Sequence, residues 1–282
     1  MKTKKKICYN CGNQNNNMRK AVVKKTVSDW KKKKGLKTQF PNDIILPLKI
    51  STPSQYNLIY KLNLSEKNAN KYVYYYAADS KIKKNCLKIN PASKAYGLFL
   101  NKGVTKADKN GLASIKIKCP QSYYVDNNKH YISHIHYFLS DKDNKNWDKK
   151  MFTERIICDI NKNELKKIIE SECAMIINAL PYEEYIKKRI PKSISIPYDL
   201  VVNKKKISKK QLFNYIDEMS VHYPKINKLI KSKKIEIENI PLIIYCYNKS
   251  CKASHILIDK LVKYGFTNIK EYSRGILGWI KD

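Results

Sequence analysis

The chain has 282 residues and carries 57 Lys and Arg against 24 Asp and Glu, a formal net charge of +33. With 43% hydrophobic residues and 21 tyrosines it is too apolar for a disordered polymer, and its length suggests two domains. No apolar run nears the roughly 20 residues that span a bilayer, and no signal-peptide core follows Met1-Lys-Thr-Lys-Lys-Lys6. The expected setting is intracellular: cytoplasmic, or packaged in a virus particle.

So large a positive charge points towards a polyanion. Arginine, however, appears only as Arg19, Arg155, Arg189 and Arg274, while Lys, Asn, Ile and Tyr abound, the codon footprint of an AT-rich genome. Scattered lysine attracts phosphate without reading bases, so the expectation is non-specific nucleic acid or polyanion contact, set against a plain solvated lysine surface.

In chain order, residues 1–40 form a basic arm with low-complexity patches at Asn13–Asn17 and Lys31–Lys34. Cys8 and Cys11 make half of a zinc site, and no further Cys or His occurs before Cys86. Four-coordinate zinc would need Cys86 or a second chain to complete it; the alternative is a reduced pair of thiols. Residues 41–161 hold short β-type segments at Ile44–Ile50, Tyr56–Leu64, Tyr72–Ala77, Tyr96–Leu100, Leu112–Lys118, Tyr131–Leu139 and Thr153–Ile160. Their number and spacing predict an antiparallel β-sandwich. Helices and strands alternate through residues 162–282, beginning with a helix over 164–170, so a multidomain chain ending in an α/β domain with a parallel sheet is expected. Cys119, Cys158 and Cys173 sit in or beside apolar runs and read as buried structural thiols of a reducing compartment.

The middle segment runs Phe99-Leu-Asn-Lys-Gly103-Val-Thr105-Lys-Ala-Asp108-Lys-Asn-Gly111, a strand, Pro120-Gln-Ser-Tyr123, then His134-Ile135-His136. It resembles the core of intradiol ring-cleaving dioxygenases. That resemblance implies a β-sandwich in which Tyr123, His134 and His136 are ligands to ferric iron, with a second tyrosine from upstream. Two histidines two apart on a strand point to one face, so both imidazoles can reach one metal, iron or zinc, with Tyr123 or His130 beside them. The nearest upstream match, Tyr76-Ala-Ala-Asp79, is followed by no tyrosine before Tyr96, so the second phenolate has no clear equivalent. Tyr131 stands where the family carries an arginine.

The most informative stretch is Leu242-Ile-Ile-Tyr-Cys246-Tyr-Asn-Lys-Ser-Cys251-Lys-Ala-Ser254. An apolar strand ends at a cysteine, and a polar loop leads to a helix over Ser254–Leu261. Loop N–H groups and the positive end of the helix dipole are expected to favour a Cys246 thiolate. Around it lie Ile176-Ile-Asn-Ala-Leu-Pro181-Tyr-Glu-Glu184-Tyr185, Ile190-Pro191-Lys-Ser193-Ile-Ser-Ile-Pro197, Leu261-Val-Lys-Tyr-Gly265-Phe266, Asn268-Ile269 and Gly275-Ile276-Leu-Gly-Trp279. In order and spacing these resemble a rhodanese (sulfurtransferase) domain over residues 162–282. Asn178-Ala179-Leu180 replaces the usual acidic and basic pair, Arg274-Gly275 replaces a double glycine, and the loop after Cys246 is longer and lacks arginine.

The resemblance implies that Cys246 attacks a sulfane donor such as thiosulfate and forms a persulfide, which a thiol or cyanide acceptor then discharges, with no cofactor required. Tyr247, Asn248, Lys249, Ser250 and Lys252 would line the anion loop, and Ser254 would cap the helix and donate to the loop. Cys251 would either receive the sulfur or close a disulfide with Cys246. A phosphatase of the C-x5-R kind is disfavoured because Lys252 holds the arginine position and lacks the bidentate grip on phosphate. The rival expectation is a non-catalytic structural or interaction protein of a virus particle or nucleoprotein assembly.

Overall fold

The computed structural model describes residues 47–80, 87–125, 129–148, 150–202 and 207–281. The basic arm, Cys8, Cys11, Cys86 and the first part of the strand expected at Ile44–Ile50 lie outside the described residues; residues 47–50 are not strand. The chain divides into two compact units at Cys158 and Asp159. No helix among the described residues is long and apolar enough to cross a membrane.

The first unit carries β1 (Leu58–Asn63), β2 (Tyr72–Ala77), β3 (Asn90–Pro91), α1 (Ala92–Tyr96), β4 (Lys102–Lys106), β5 (Leu112–Ile117), β6 (Tyr123–Val125), β7 (Lys129–Tyr131), β8 (His134–Leu139) and β9 (Phe152–Arg155). They form a β1-β5 ribbon, a four-stranded sheet ordered β4-β2-β8-β9, and a small β3-β6-β7 sheet. The ribbon and the four-stranded sheet are antiparallel. Alternation along β2 decides what packs where, because successive side chains on a strand face opposite ways. Val73, Tyr75 and Ala77 join Leu62, Ile115, Ile117, Ile135 and Leu139 in an apolar cluster shared by the ribbon and the larger sheet. Tyr74 and Tyr76 join Tyr96, Val104, Tyr123 and Tyr131 in a second, ring-rich cluster. Between β4 and β5, Asp108 Oδ1 accepts from the N–H groups of Asn110 and Leu112 at 2.9 and 2.8 Å, and Gly111 follows at φ +74°.

Several expectations are corrected here. The strand expected at Tyr96–Leu100 is the end of α1 and a turn, with Gly97 and Phe99 at positive φ. Pro91 precedes Ala-Ser-Lys-Ala, residues that suit the first turn of a helix. Tyr131–Leu139 is interrupted at Ile132 and Ser133, and Thr153–Ile160 at Ile156 and Ile157, where Ile156 N–H donates to the Ser133 carbonyl at 2.8 Å. Strand β4, rich in Lys, Thr and Gly, was not signalled by its composition. Cys119 and Cys158 are not thiols but a disulfide with a Cα–Cα distance of 5.9 Å, and Cys173 is disulfide-bonded as well. The Cys119–Cys158 bridge closes 39 residues of chain and stabilises by about 4 kcal/mol on chain-entropy grounds.

The second unit contains β10 (Cys158–Asp159), α2 (Lys162–Ser171), β11 (Met175–Asn178), α3 (Tyr182–Lys187), β12 (Ile194–Ser195), α4 (Tyr198–Val202), α5 (Lys209–Met219), α6 (Pro224–Lys231), β13 (Leu242–Tyr245), α7 (Ala253–Tyr264), β14 (Ile269–Tyr272) and α8 (Gly275–Ile280). Its sheet is ordered β10-β14-β13-β11-β12, and β11 to β14 are mutually parallel. Every residue of β11 and β13 is buried, as parallel strands covered on both faces require. Helix α2 opens with a reciprocal cap between Asn161 and Glu164, and α5 with one between Ser208 and Gln211. Ile176, Ile243, Tyr245 and Tyr272 from the strands meet Leu165 and Ile276 from the helices in one apolar cluster.

Candidate active site

Strand β13 delivers Cys246 to the carboxyl edge of the parallel sheet, where ligand sites of open α/β folds are found. Just before it, the Tyr245 hydroxyl is a buried junction. It receives the Asn178 amide and the Ile190 N–H, each at 3.0 Å, and lies 2.9 Å from Ser193 Oγ. After it, the loop is folded around Asn248. Asn248 Oδ1 accepts from Ser250 N–H at 3.0 Å, Ser250 Oγ at 2.8 Å and Cys251 N–H at 3.0 Å. On the far side, Ile276 N–H and Leu277 N–H at the start of α8 donate to the Cys246 and Tyr247 carbonyls at 2.9 and 3.0 Å. Gly275 permits this approach, for a Cβ there would lie 2.4 Å from the Cys246 carbonyl oxygen, and its φ is +61°.

Cys246 is 1% exposed and Cys251 is buried, and neither is in a disulfide. The Cys246 sulfur faces the Asn248 carbonyl at 3.7 Å, the Cys251 carbonyl at 3.4 Å and Ser254 Oγ at 3.2 Å. Ser254 in turn donates to Glu271 Oε1 at 2.6 Å, and His255 Nε2 meets Glu271 Oε2 at 2.9 Å. The Cys251 side chain beside it, and then burial, push the Cys246 thiol well above its ordinary value; the Ser254 backbone N–H works in the opposite direction but does not prevail.

Two expectations are corrected by this geometry. The N–H groups of Ser250 and Cys251 do not cradle the sulfur, because the nearer and stronger amide oxygen of Asn248 takes them. Ser254 is not a helix cap: Lys252 occupies that position with no side-chain bond, and Ser254 is the second residue of α7. Tyr247, Lys249 and Ser250 are exposed, while Asn248 and Lys252 are half-buried. Glu271, which the sequence reading did not single out, is 8% exposed on β14.

The first unit holds a second gathering of polar groups. His134 Nε2 lies 3.0 Å from the Tyr123 hydroxyl and 3.1 Å from His136 Nε2, and the Tyr96 hydroxyl lies 3.1 Å from that of Tyr123. His134 Nδ1 bonds the Ile132 carbonyl at 2.5 Å, and His136 Nδ1 bonds Thr153 Oγ1 at 2.8 Å. Tyr76 packs against His136 with ring centroids 5.0 Å apart. Tyr123, His134 and His136 are thus brought together, and the Tyr96 hydroxyl at the end of α1 stands beside them. His130 instead rests on Tyr124, centroids 5.7 Å apart. Burial lowers His134 to about 4 and holds His136 well below the ordinary imidazole range, and it raises both phenols. No three His, Cys, Asp or Glu gather as a metal cluster among the described residues, so any metal here needs the phenols.

Comparison with protein families matches residues 161–282 to the Rhodanese-like domain. Among solved structures, the human single domain sulfurtransferase TSTD1 is 15% identical, covers 44% of this chain and 96% of its own, and has a TM-score of 0.32. The Saccharomyces cerevisiae single domain sulfurtransferase RDL2 is 14% identical over 46% and 93%, with a TM-score of 0.32. SseA from Escherichia coli, described among 3-mercaptopyruvate sulfotransferases, is 12% identical over 48% and 51%, with a TM-score of 0.28. Comparison with curated proteins gives no match. Residues 161–282 therefore constitute a rhodanese-like domain.

Proposed function

We propose that the second unit is a sulfurtransferase in which Cys246 carries the transferred sulfur. The observation that supports this is a cysteine at the turn from a buried parallel strand into a helix, inside the segment matched as Rhodanese-like domain. The Cys246 thiolate attacks the outer sulfur of a donor such as thiosulfate, sulfite leaves, and a persulfide forms; a thiolate or cyanide acceptor then takes the outer sulfur. Lys249 and Lys252 favour anionic donors near the loop. Mass spectrometry after incubation with thiosulfate tests the reading. A gain of one sulfur atom on wild type and Cys251→Ser, absent from Cys246→Ser, is the expected result. No gain on any folded variant would make the domain a non-catalytic interaction module.

A second reading concerns the first unit, for which we propose a β-sandwich holding iron between Tyr96, Tyr123, His134 and His136. The supporting observation is the convergence of two imidazole nitrogens and two phenol oxygens, each 3.0–3.1 Å from the next. The Ile132 carbonyl can only accept, so neutral His134 donates from Nδ1 and leaves one lone pair on Nε2, facing both the Tyr123 hydroxyl and His136 Nε2. A cation among these atoms would satisfy the nitrogens and turn both phenols into phenolates. Two imidazoles and two phenols suit ferric iron, which would supply Lewis-acid and oxygen chemistry when bound. Titration with ferric iron tests this. A visible phenolate-to-iron absorption band that Tyr96→Phe and Tyr123→Phe each weaken is expected, and a colourless protein with no bound iron would sink the reading.

A further inference from the structure

The hydroxyl of Ser254 has one hydrogen, and it is committed to Glu271 Oε1 at 2.6 Å. So short an O–H···O contact is typical of a charged acceptor. The hydroxyl can then offer Cys246, 3.2 Å away, only a lone pair. The other two oxygens facing the sulfur are the carbonyls of Asn248 and Cys251, which also only accept. A thiol hydrogen finds three acceptors here, whereas none of the same three atoms can donate to a thiolate, which is left with the Ser254 backbone N–H. Glu271 is held in turn by His255, whose Nε2 meets the other carboxylate oxygen at 2.9 Å and whose side chain is 37% exposed. On β14, Glu271 stands between Lys270 and the buried Tyr272.

We propose that Glu271 is a positioning residue that holds the Ser254 hydrogen away from Cys246 and so keeps the resting sulfur protonated. When the Ser254–Glu271 bond opens, rotation of the serine side chain makes the same hydroxyl a donor to sulfur. The thiol proton passes to solvent and the thiolate gains its hydrogen bond. The groups facing the sulfur are the Cys251 side chain and carbonyl, the Asn248 carbonyl, and the hydroxyl and backbone N–H of Ser254, with Glu271 and His255 behind. This regulation rests on Cys246 being the reacting sulfur.

The test is the pH profile of iodoacetamide alkylation at Cys246 in the full chain, read peptide by peptide. In Glu271→Gln the new amide donates to Ser254 and releases its hydrogen towards Cys246. The profile should move down by about one pH unit, roughly a tenfold faster reaction at neutral pH, as one hydrogen bond to a charged atom provides. Adding Ser254→Ala should cancel the gain. A profile that stays in place or moves up in Glu271→Gln overturns the proposal. Ser254→Ala alone decides if Glu271→Gln does not fold: a rate no lower than wild type is expected, and a slower one overturns the proposal because the serine would already be serving the thiolate. Alkylation needs no sulfur donor. A shifted profile without sulfur uptake from thiosulfate therefore defeats only the sulfurtransferase reading, and uptake with an unmoved profile defeats only this one.

Discussion

The Asn178 side chain donates to the Tyr245 hydroxyl at 3.0 Å while its own oxygen accepts the Leu180 N–H at 2.8 Å, and both side chains are fully buried. Asn178 thus ties the end of β11 to the end of β13. Asn178→Ala strands the Leu180 N–H and weakens the junction beneath Cys246. A loss of about 1–3 kcal/mol in the second unit is expected from one unsatisfied buried group, measured as a lowered urea midpoint. An unchanged midpoint would mean that the site relaxes or admits water.

Gly275→Ala meets two obstacles at once, a left-handed backbone and a Cys246 carbonyl 2.4 Å from the new Cβ. The backbone alone costs about 1 kcal/mol or more, and the clash adds to it. The expected outcome is a destabilised second unit together with altered alkylation of Cys246, since the obstructing carbonyl is its own.

Cys246 sets a pH dependence. Its folded value lies above the ordinary 9.0, so its contribution to stability is complete below about pH 9 and is lost as pH rises beyond it. Urea denaturation of wild type from neutral pH to about pH 10 should show stability falling above pH 9 by up to roughly 1.4 kcal/mol per unit. The part of that slope missing from Cys246→Ser is the part due to this thiol.

The Cys119–Cys158 bridge ties the chain after β5 to the last residue of the first unit, across 39 residues. Replacing both cysteines with alanine should lower the stability of the first unit by about 4 kcal/mol without reductant present. A denaturation midpoint unmoved by the double substitution would show that the bond adds nothing in solution.

Much of the second unit can be read directly from the chain. Met175–Ile177 and Leu242–Tyr245 are short continuous apolar runs, as buried parallel strands must be, and Asn161 with Glu164 announces a helix start. Cys246 stands out for the same reason: an apolar run stops there. What could not be read depends on side-chain direction. Asn248 looks like an ordinary loop residue until its oxygen is seen to take the N–H groups of Ser250 and Cys251. Glu271, between Lys270 and Tyr272, reads as a surface carboxylate, and only tertiary packing turns it towards Ser254. Tyr96 lies 27 residues from Tyr123 and on a helix, so no local period links the two phenols. The cysteines were read as thiols because pairing between distant residues leaves no mark on spacing.

Strand β2 has a consequence for how this chain can vary. Val73 and Tyr75 serve the aliphatic cluster, while Tyr74 and Tyr76 serve the ring cluster that holds Tyr96 and Tyr123. The strand is a party wall with a different tenant on each side. Exchanging one tyrosine for phenylalanine removes a single hydroxyl, but inserting or deleting one residue swaps the two faces and evicts both tenants together. Descendants of this chain are therefore free to drift in the chemistry of β2 and barred from drifting in its length.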